Sequence, residues 1–191
     1  MFMSLIRKRR TIRRYLEKDL EDEKISMLIE AALRAPSSRD LQPWEFIVVT
    51  DRDSLDNLSR AKPHGASFLR NAPLGIVVCA DPDRSDTWIE DSSIASIFIQ
   101  LAAESLGFGN CWIQIRDRVH DDTKTAEEYI SELLGIPKKI RVEAIIAIGY
   151  PDDRKQPHSK NDLLYGKVHF QRYGNPYGSP LDEGKAHRET Y

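Results

Sequence analysis

The densest chemistry in the sequence lies near its start, in Arg7-Lys8-Arg9-Arg10-Thr11-Ile12-Arg13-Arg14. Guanidinium forks hold phosphate oxygens in bidentate pairs, and a threonine hydroxyl adds a further donor. Several guanidinium groups of this run, with the Thr11 hydroxyl, could therefore bind phosphate. A solvated basic face is the ordinary alternative for a charge run. Nucleic-acid contact is a third reading, but the chain carries 28 basic against 30 acidic residues, net charge -2, and has no general attraction for a polyanion. A second group is Ala35-Pro36-Ser37-Ser38-Arg39-Asp40-Leu41-Gln42-Pro43-Trp44. Prolines lower the entropy lost when such a loop orders around a ligand, and Ser37, Ser38 and Gln42 supply hydroxyls and an amide. A connecting loop with Trp44 in the core is the plainer alternative. The glycines of Gly107-Phe108-Gly109-Asn110-Cys111-Trp112-Ile113 would let backbone approach a flat ligand, although their spacing is not the dinucleotide fingerprint. Cations recur in Gly149-Tyr150-Pro151-Asp152-Asp153-Arg154-Lys155 and at His158 and Lys160, either as the end of a phosphate site or as a polar surface loop.

No phosphate-binding P-loop, nucleophile elbow, zinc-protease helix or EF-hand loop occurs, and the five histidines are scattered, so no metal cluster is expected. A chain without its own acid, base and nucleophile set is a candidate for a borrowed cofactor that carries the chemistry.

Helices and strands must position these groups. Ile25, Leu28, Ile29, Ala32 and Leu33 fall on one helical face, which predicts a helix from about Asp22 to Arg34, with Asp19 and Asp22 as start signals and Pro36 as the stop. Glu45–Thr50 predicts a strand, Asp53–Ala61 a short helix, and the apolar run Leu74–Ala80 a strand buried on both faces. Trp88–Leu106 predicts a helix that is apolar nearly all round and ends at Gly107. Its small residues Ser92, Ala95, Ser96, Ala102 and Ala103 would admit a partner helix. Asn110–Ile115 predicts a short strand or extended loop. Asp122 is expected to cap a helix ending at Gly135, and Val142–Ile148 predicts the last strand. This mixture implies an α+β or α/β three-layer domain of about four strands.

With 191 residues, 40% of them hydrophobic and 30% charged, the chain suits one globular domain. Cys79 and Cys111 lie in apolar stretches and are expected to be reduced and buried, as in a cytoplasmic protein. No signal-peptide core is evident, and Ile94–Leu106 is too short and too interrupted to span a bilayer. The segment 175–191 is polar and has too little apolar surface for a core of its own.

The four groups occur in one order, and that order resembles the nitroreductase family of FMN-dependent oxidoreductases. The resemblance runs from about Ile6 to Gly174. It is carried by Arg9-Arg10-Thr11-Ile12-Arg13-Arg14-Tyr15 and by Ala-Pro-Ser-Ser followed by Gln42-Pro43-Trp44-Glu45-Phe46-Ile47-Val48-Val49. Leu101–Ile113, Leu134-Gly135-Ile136-Pro137 and Ala147-Ile148-Gly149-Tyr150-Pro151 complete it. It implies an α+β fold with a three-layer α/β/α arrangement around a mostly antiparallel sheet of four or five strands. Residues 1–174 would form the FMN-binding domain, with 175–191 as a C-terminal tail. The resemblance implies a homodimer with the central helix at the interface and two FMN sites shared between subunits.

The family's pattern assigns Arg9, Arg10 and Thr11 to phosphate or ribityl oxygens and Arg13 to the polar edge of the ring, where it would stabilise charge. His158 and Lys160 would complete the phosphate site. Pro36, Ser37, Ser38 and Gln42 would reach the partner subunit's flavin. Trp112, Ile113, Gln114 and Ile115 would run along the ring, with the N–H of Gln114 or Ile115 near N5. Gln114 and Ile115 stand where family members often carry glycine. The implied activity is ping-pong hydride transfer from NADH or NADPH through FMN to a nitroaromatic, quinone or similar acceptor. A non-catalytic FMN sensor or store, or another flavin reaction of the superfamily, is the alternative.

Overall fold

A computed structural model describes residues 2–177. The chain divides into two compact units, Met1–Gln156 and Pro157–Tyr191. This division precedes the boundary at residue 174 expected from sequence, and most of the 175–191 tail lies outside the described residues.

The first unit contains five helices and four strands in the order α1 (Phe2–Lys8), α2 (Asp22–Leu33), β1 (Trp44–Val49), α3 (Arg52–Leu58), β2 (Leu74–Ala80), α4 (Trp88–Ser105), β3 (Gly109–Gln114), α5 (Ala126–Leu134) and β4 (Arg141–Gly149). The sheet runs β1-β2-β4-β3, and every pair is antiparallel. Alternation along the strands builds two cores. Ile76, Val78, Ile146 and Ile148 face Leu28 of α2 and Ile99 and Ala103 of α4. Val77, Cys79, Ile113, Ile145 and Ala147 face Leu55 and Leu58 of α3 and Ala126 and Ile130 of α5. The result is three layers, and β2 is buried on both faces as its apolar run requires. Both cysteines are free and buried.

Local chemistry explains the element ends. Gly107 follows α4 with φ 82°, and Gly135 caps α5 with φ 67°, a left-handed conformation that glycine adopts without Cβ strain. Two expectations are corrected. The N-cap of α5 is Thr125, not Asp122: Thr125 and Glu128 form a reciprocal capping box, and Asp122 lies too early to reach those N–H groups. The N-cap of α2 is Glu21, not Asp19. The small residues Ser92, Ala95, Ser96 and Ala103 of α4 are buried within this chain, where they let α4 lie close to its neighbours. The apolar side chains that α4 leaves exposed are Ile94, Ile97 and Phe98. The N-terminal basic run also begins inside a helix, α1, that periodicity did not reveal.

In β4, Val78 of β2 pairs with Ala144 and Cys79 with Val142, so Glu143 is the extra residue of a bulge. Among the described residues no helix is long and apolar enough to cross a membrane.

The second unit, described to residue 177, has short turns at Lys160–Asp162 and Tyr165–Lys167 and a bridge between His169 and Pro176. Ser159 and Asp162 form a capping box at the first turn.

Candidate functional site

The basic run is fixed to the sheet by its two apolar residues. Ile12 and Tyr15 are buried, while Arg13 and Arg14 between them are exposed. Hydrophobic burial of about 1.5–3 kcal/mol per large side chain holds the segment down and leaves the cations outward. Backbone bonds set its register. Ile12 N–H donates to Asn110 O at 3.0 Å, Leu16 N–H to Tyr150 O at 2.9 Å, and Asp152 N–H to Arg14 O at 3.0 Å. Thr11 pairs in parallel with Asn110, lengthening the sheet beyond β3. Asn110 is itself buried, and its amide exchanges bonds with Gln100 of α4 at 3.0 and 3.1 Å. The Tyr15 hydroxyl donates to Ile12 O at 2.8 Å, and burial pushes its pKa up.

Gly109 and Gly149 allow this close approach. A Cβ on Gly109 would lie 2.7 Å from Ile12 Cγ2, and one on Gly149 would lie 2.9 Å from the Tyr15 ring. Lys155 Nζ donates to Thr11 O at 3.0 Å, and Arg10 donates to Gln156 O. Arg13 lies with its guanidinium carbon 5.8 Å from the Phe68 ring centroid. Arg9, Arg10, Thr11, Arg13 and Lys155 thus share one end of the β3 edge.

The remainder of that edge is open. Ile115 N–H donates to Glu143 O at 3.1 Å, so alternate residues of β3 turn their N–H and C=O groups toward β4. The intervening residues, Asn110, Trp112 and Gln114, turn theirs outward. This corrects the expectation for Ile115 and Ile113. Both side chains are buried, and the Ile115 N–H is spent on the sheet. Of the two proposed N5 donors, only the Gln114 N–H faces the edge. The Gln114 side chain folds back on its own strand, accepting from Trp112 Nε1 at 2.9 Å and donating to Arg116 O at 3.1 Å. Arg116 in turn donates to buried Glu143 at 2.8 Å, where burial raises the carboxyl pKa against the pull of the guanidinium.

Lys62 also lies here, unannounced by any motif. Its ammonium donates to Gln114 O at 2.9 Å, and its pKa is lowered by burial and then by the nearby Arg118 charge.

The loop Pro36–Gln42 is ordered by local bonds. Ser38 N–H donates to Asp91 Oδ1 at 2.8 Å, and Asp91, buried in the first turn of α4, also accepts from Ser85 at 3.0 Å and Thr87 at 3.2 Å. Gln42 N–H donates to Ser37 Oγ at 2.9 Å. Arg39, Asp40 and Gln42 have φ of 52°, 55° and 47°. Three non-glycine residues in left-handed conformation within four positions mark a strained loop, a feature that concentrates at ligand-binding segments. The exposed Pro36 and Gln42 and half-buried Ser37 and Ser38 line its surface.

These two groups do not meet within one chain. The loop enters β1, one edge of the sheet, while the cationic segment adjoins β3, the other edge. Three strand spacings of about 4.8 Å separate the edges by roughly 14 Å. They also lie at opposite ends of the strands, because Trp44 sits in the row of Ala80 and Arg141, whereas Gly109 pairs with Gly149. In the second unit His158 and Lys160 are exposed, with His158 Nδ1 4.0 Å from Asp162 Oδ2.

An outward-facing strand edge with peptide donors, flanked by cations, fits a flat hydrogen-bonding ring that carries a phosphate. The model of the nitroreductase family matches residues 6–62 and 59–150. An FMN-dependent nitroreductase from Clostridium difficile R20291 superposes with TM-score 0.88 at 49% identity, covering 90% of this chain and 99% of that one. An Archaeoglobus fulgidus relative named "Putative NADH dehydrogenase/NAD(P)H nitroreductase" is 40% identical over 176 residues, 90% of this chain and 98% of its own. The FMN reductase [NAD(P)H] of Bacillus subtilis is 26% identical, covering 95% of this chain and 76% of its own length.

Proposed function

The chain belongs to the nitroreductase family, and we propose that it is an NAD(P)H-dependent flavin oxidoreductase that works as a homodimer with FMN shared between subunits. The observation that carries this reading is the open β3 edge, with outward peptide groups at Trp112 and Gln114 and cations along its length. FMN, when bound, would supply hydride-transfer chemistry between NADH or NADPH and a nitroaromatic, quinone or similar acceptor, in ping-pong order.

The chain's own residues bind and orient. Arg9, Arg10 and Thr11 would hold phosphate and ribityl oxygens, and His158 and Lys160 are further candidate phosphate cations. Arg13 would stabilise negative charge on the ring, and the outward Gln114 N–H would supply a donor to it. Ser37, Ser38 and Gln42, with Pro36 shaping their loop, serve the site of the partner subunit. Support for sharing comes from the separation of loop and cations on opposite sheet edges, and from the exposed Ile94, Ile97 and Phe98 of α4 as an apolar face for a second copy.

The test is the visible spectrum of the purified protein, before and after added FMN, followed by anaerobic NADH and NADPH. A flavin band bleached by either donor is the expected outcome. A band that neither donor bleaches refutes the oxidoreductase reading in favour of a sensor or store, and no band after FMN addition refutes the flavin reading itself.

A further inference from the structure

FMN presents anionic oxygens at its phosphate and developing charge at the N1–O2 side of its ring. Arg9, Arg10 and Arg13 answer both. Two cations at the Gln114 end of the β3 edge are left over. Lys62 is half-buried, donates to Gln114 O at 2.9 Å, and has no carboxylate within ion-pair distance among the described residues. Arg118 follows Ile115 in a tight turn, with its N–H bonded to Ile115 O at 3.1 Å. Among the described residues its guanidinium donates only to the Asp117 carbonyl, at 2.8 Å, and has no carboxylate partner.

Nearby cations are paired: Arg116 with Glu143 and Asp117, and Arg14 with Asp152. The two unpaired cations are held near each other by structure. His120 hydrogen-bonds through Nδ1 to Ala61 O at 3.2 Å and stacks on Tyr129 at 4.1 Å, tying the Arg118 loop to the segment that carries Lys62. Burial and then the Arg118 charge lower the Lys62 pKa. Two like charges fixed together without a counter-ion are costly, and an anionic ligand removes that cost.

We propose that Lys62 and Arg118 form an anion subsite at the Gln114 end of the β3 edge, and that the electron acceptor carries a carboxylate, sulfonate or phosphate beside its reducible group. This inference rests on the flavin lying along that edge. One charge-assisted contact gives about tenfold in selectivity at the low end of its range.

The test uses the FMN-loaded full chain with 4-nitrobenzoate and its neutral isostere 4-nitrobenzamide as acceptors. It measures kcat/KM for each and the Kd of each by calorimetry. The wild type should prefer the carboxylate by about tenfold or more, less so at high salt. Lys62→Met and Arg118→Met should each bring that ratio toward unity, and Arg118→Lys should retain it. A wild-type ratio of one, or a ratio indifferent to both variants, overturns the proposal. If the variants lower only the NADPH-over-NADH ratio, the anion is the donor's 2′-phosphate, and the assignment to the acceptor is overturned. A protein that takes up no FMN fails at the flavin reading and takes the proposal with it. FMN uptake with a unit acceptor ratio removes the proposal alone.

Discussion

Gly109→Ala perturbs the site without touching any atom assigned to a ligand. The added Cβ would lie 2.7 Å from Ile12 Cγ2, 2.8 Å from Ile12 Cβ and 3.1 Å from Ile12 Cγ1. Carbon atoms in contact sit about 3.5–4.0 Å apart, so the overlap is roughly 1 Å against a branched, buried side chain with no slack. One of the clashing carbons, Cβ, is bonded directly to the Ile12 backbone, so a rotamer change cannot relieve its overlap. The strap from Arg9 to Arg14 must move off β3, lengthening the 3.0 Å bond from Ile12 N–H to Asn110 O. Overpacking of this kind costs about 1–3 kcal/mol. For a chain of this size that is a fall in Tm of roughly 2–12 °C. Displacing the strap also misplaces Arg9, Thr11 and Arg13, and loss of one charge-assisted bond weakens FMN binding by about tenfold or more.

Thermal unfolding of the flavin-free protein and a fluorescence titration with FMN measure the two effects separately. A double-mutant cycle with Ile12→Ala should show coupling, because the cost of Gly109→Ala falls when Cγ1 and Cγ2 are gone. Wild-type stability in Gly109→Ala would refute the packing argument. Lower stability with unchanged FMN affinity would refute the role of the strap in holding the cofactor.

Three further outcomes are expected. Mixing a copy carrying Arg9→Ala and Arg10→Ala with one carrying Ser37→Ala and Gln42→Ala should restore about a quarter of the flavin sites, since half the dimers are hybrids with one intact site; no restoration, measured as bound FMN after refolding the mixture, would place both groups in one subunit's site. Hydrogen bonds from Tyr150 and Lys24 hold Glu21 near pKa 2, below its usual 4.5. A depressed carboxyl stabilises the fold fully above its unfolded pKa and loses that contribution as pH falls through the folded one, so the stability gap between wild type and Tyr150→Phe should be complete above about pH 4.5 and close toward pH 2 in urea denaturation; a gap that widens on acidification would contradict the assignment. Burial raises the Cys79 thiol to about 12 and pushes Cys111 up as well, so neither should react with a disulfide reagent at pH 8 until denaturant is added.

The elements themselves were legible in the sequence because their determinants are local. The unbroken apolar run Leu74–Ala80 announces a strand buried on both faces, and that strand is observed over the same residues. Gly107 and Gly135 stop their helices because the backbone there must turn left-handed. The cap of α5 was misjudged at Asp122 because several polar residues precede the helix, and only the reciprocal reach of Thr125 and Glu128 selects among them. The candidate ligands followed from residue type, since arginines, hydroxyls and glycines bring their chemistry wherever they are placed.

Their arrangement belongs to the tertiary structure. Sequence left Gln114 and Ile115 equivalent as donors; pairing with Glu143 consumes one N–H and turns the other outward, a parity fixed only by strand register. Lys62 and Asp91 carried no signal, because their partners Gln114 and Ser38 are about 50 residues away in the chain. The separation of the Ser37–Gln42 loop from Arg9 and Thr11 on opposite sheet edges is likewise a result of strand order. Spacing along a chain encodes the periodicity of one element, whereas the side of a sheet on which a group emerges depends on how all four strands pack at once.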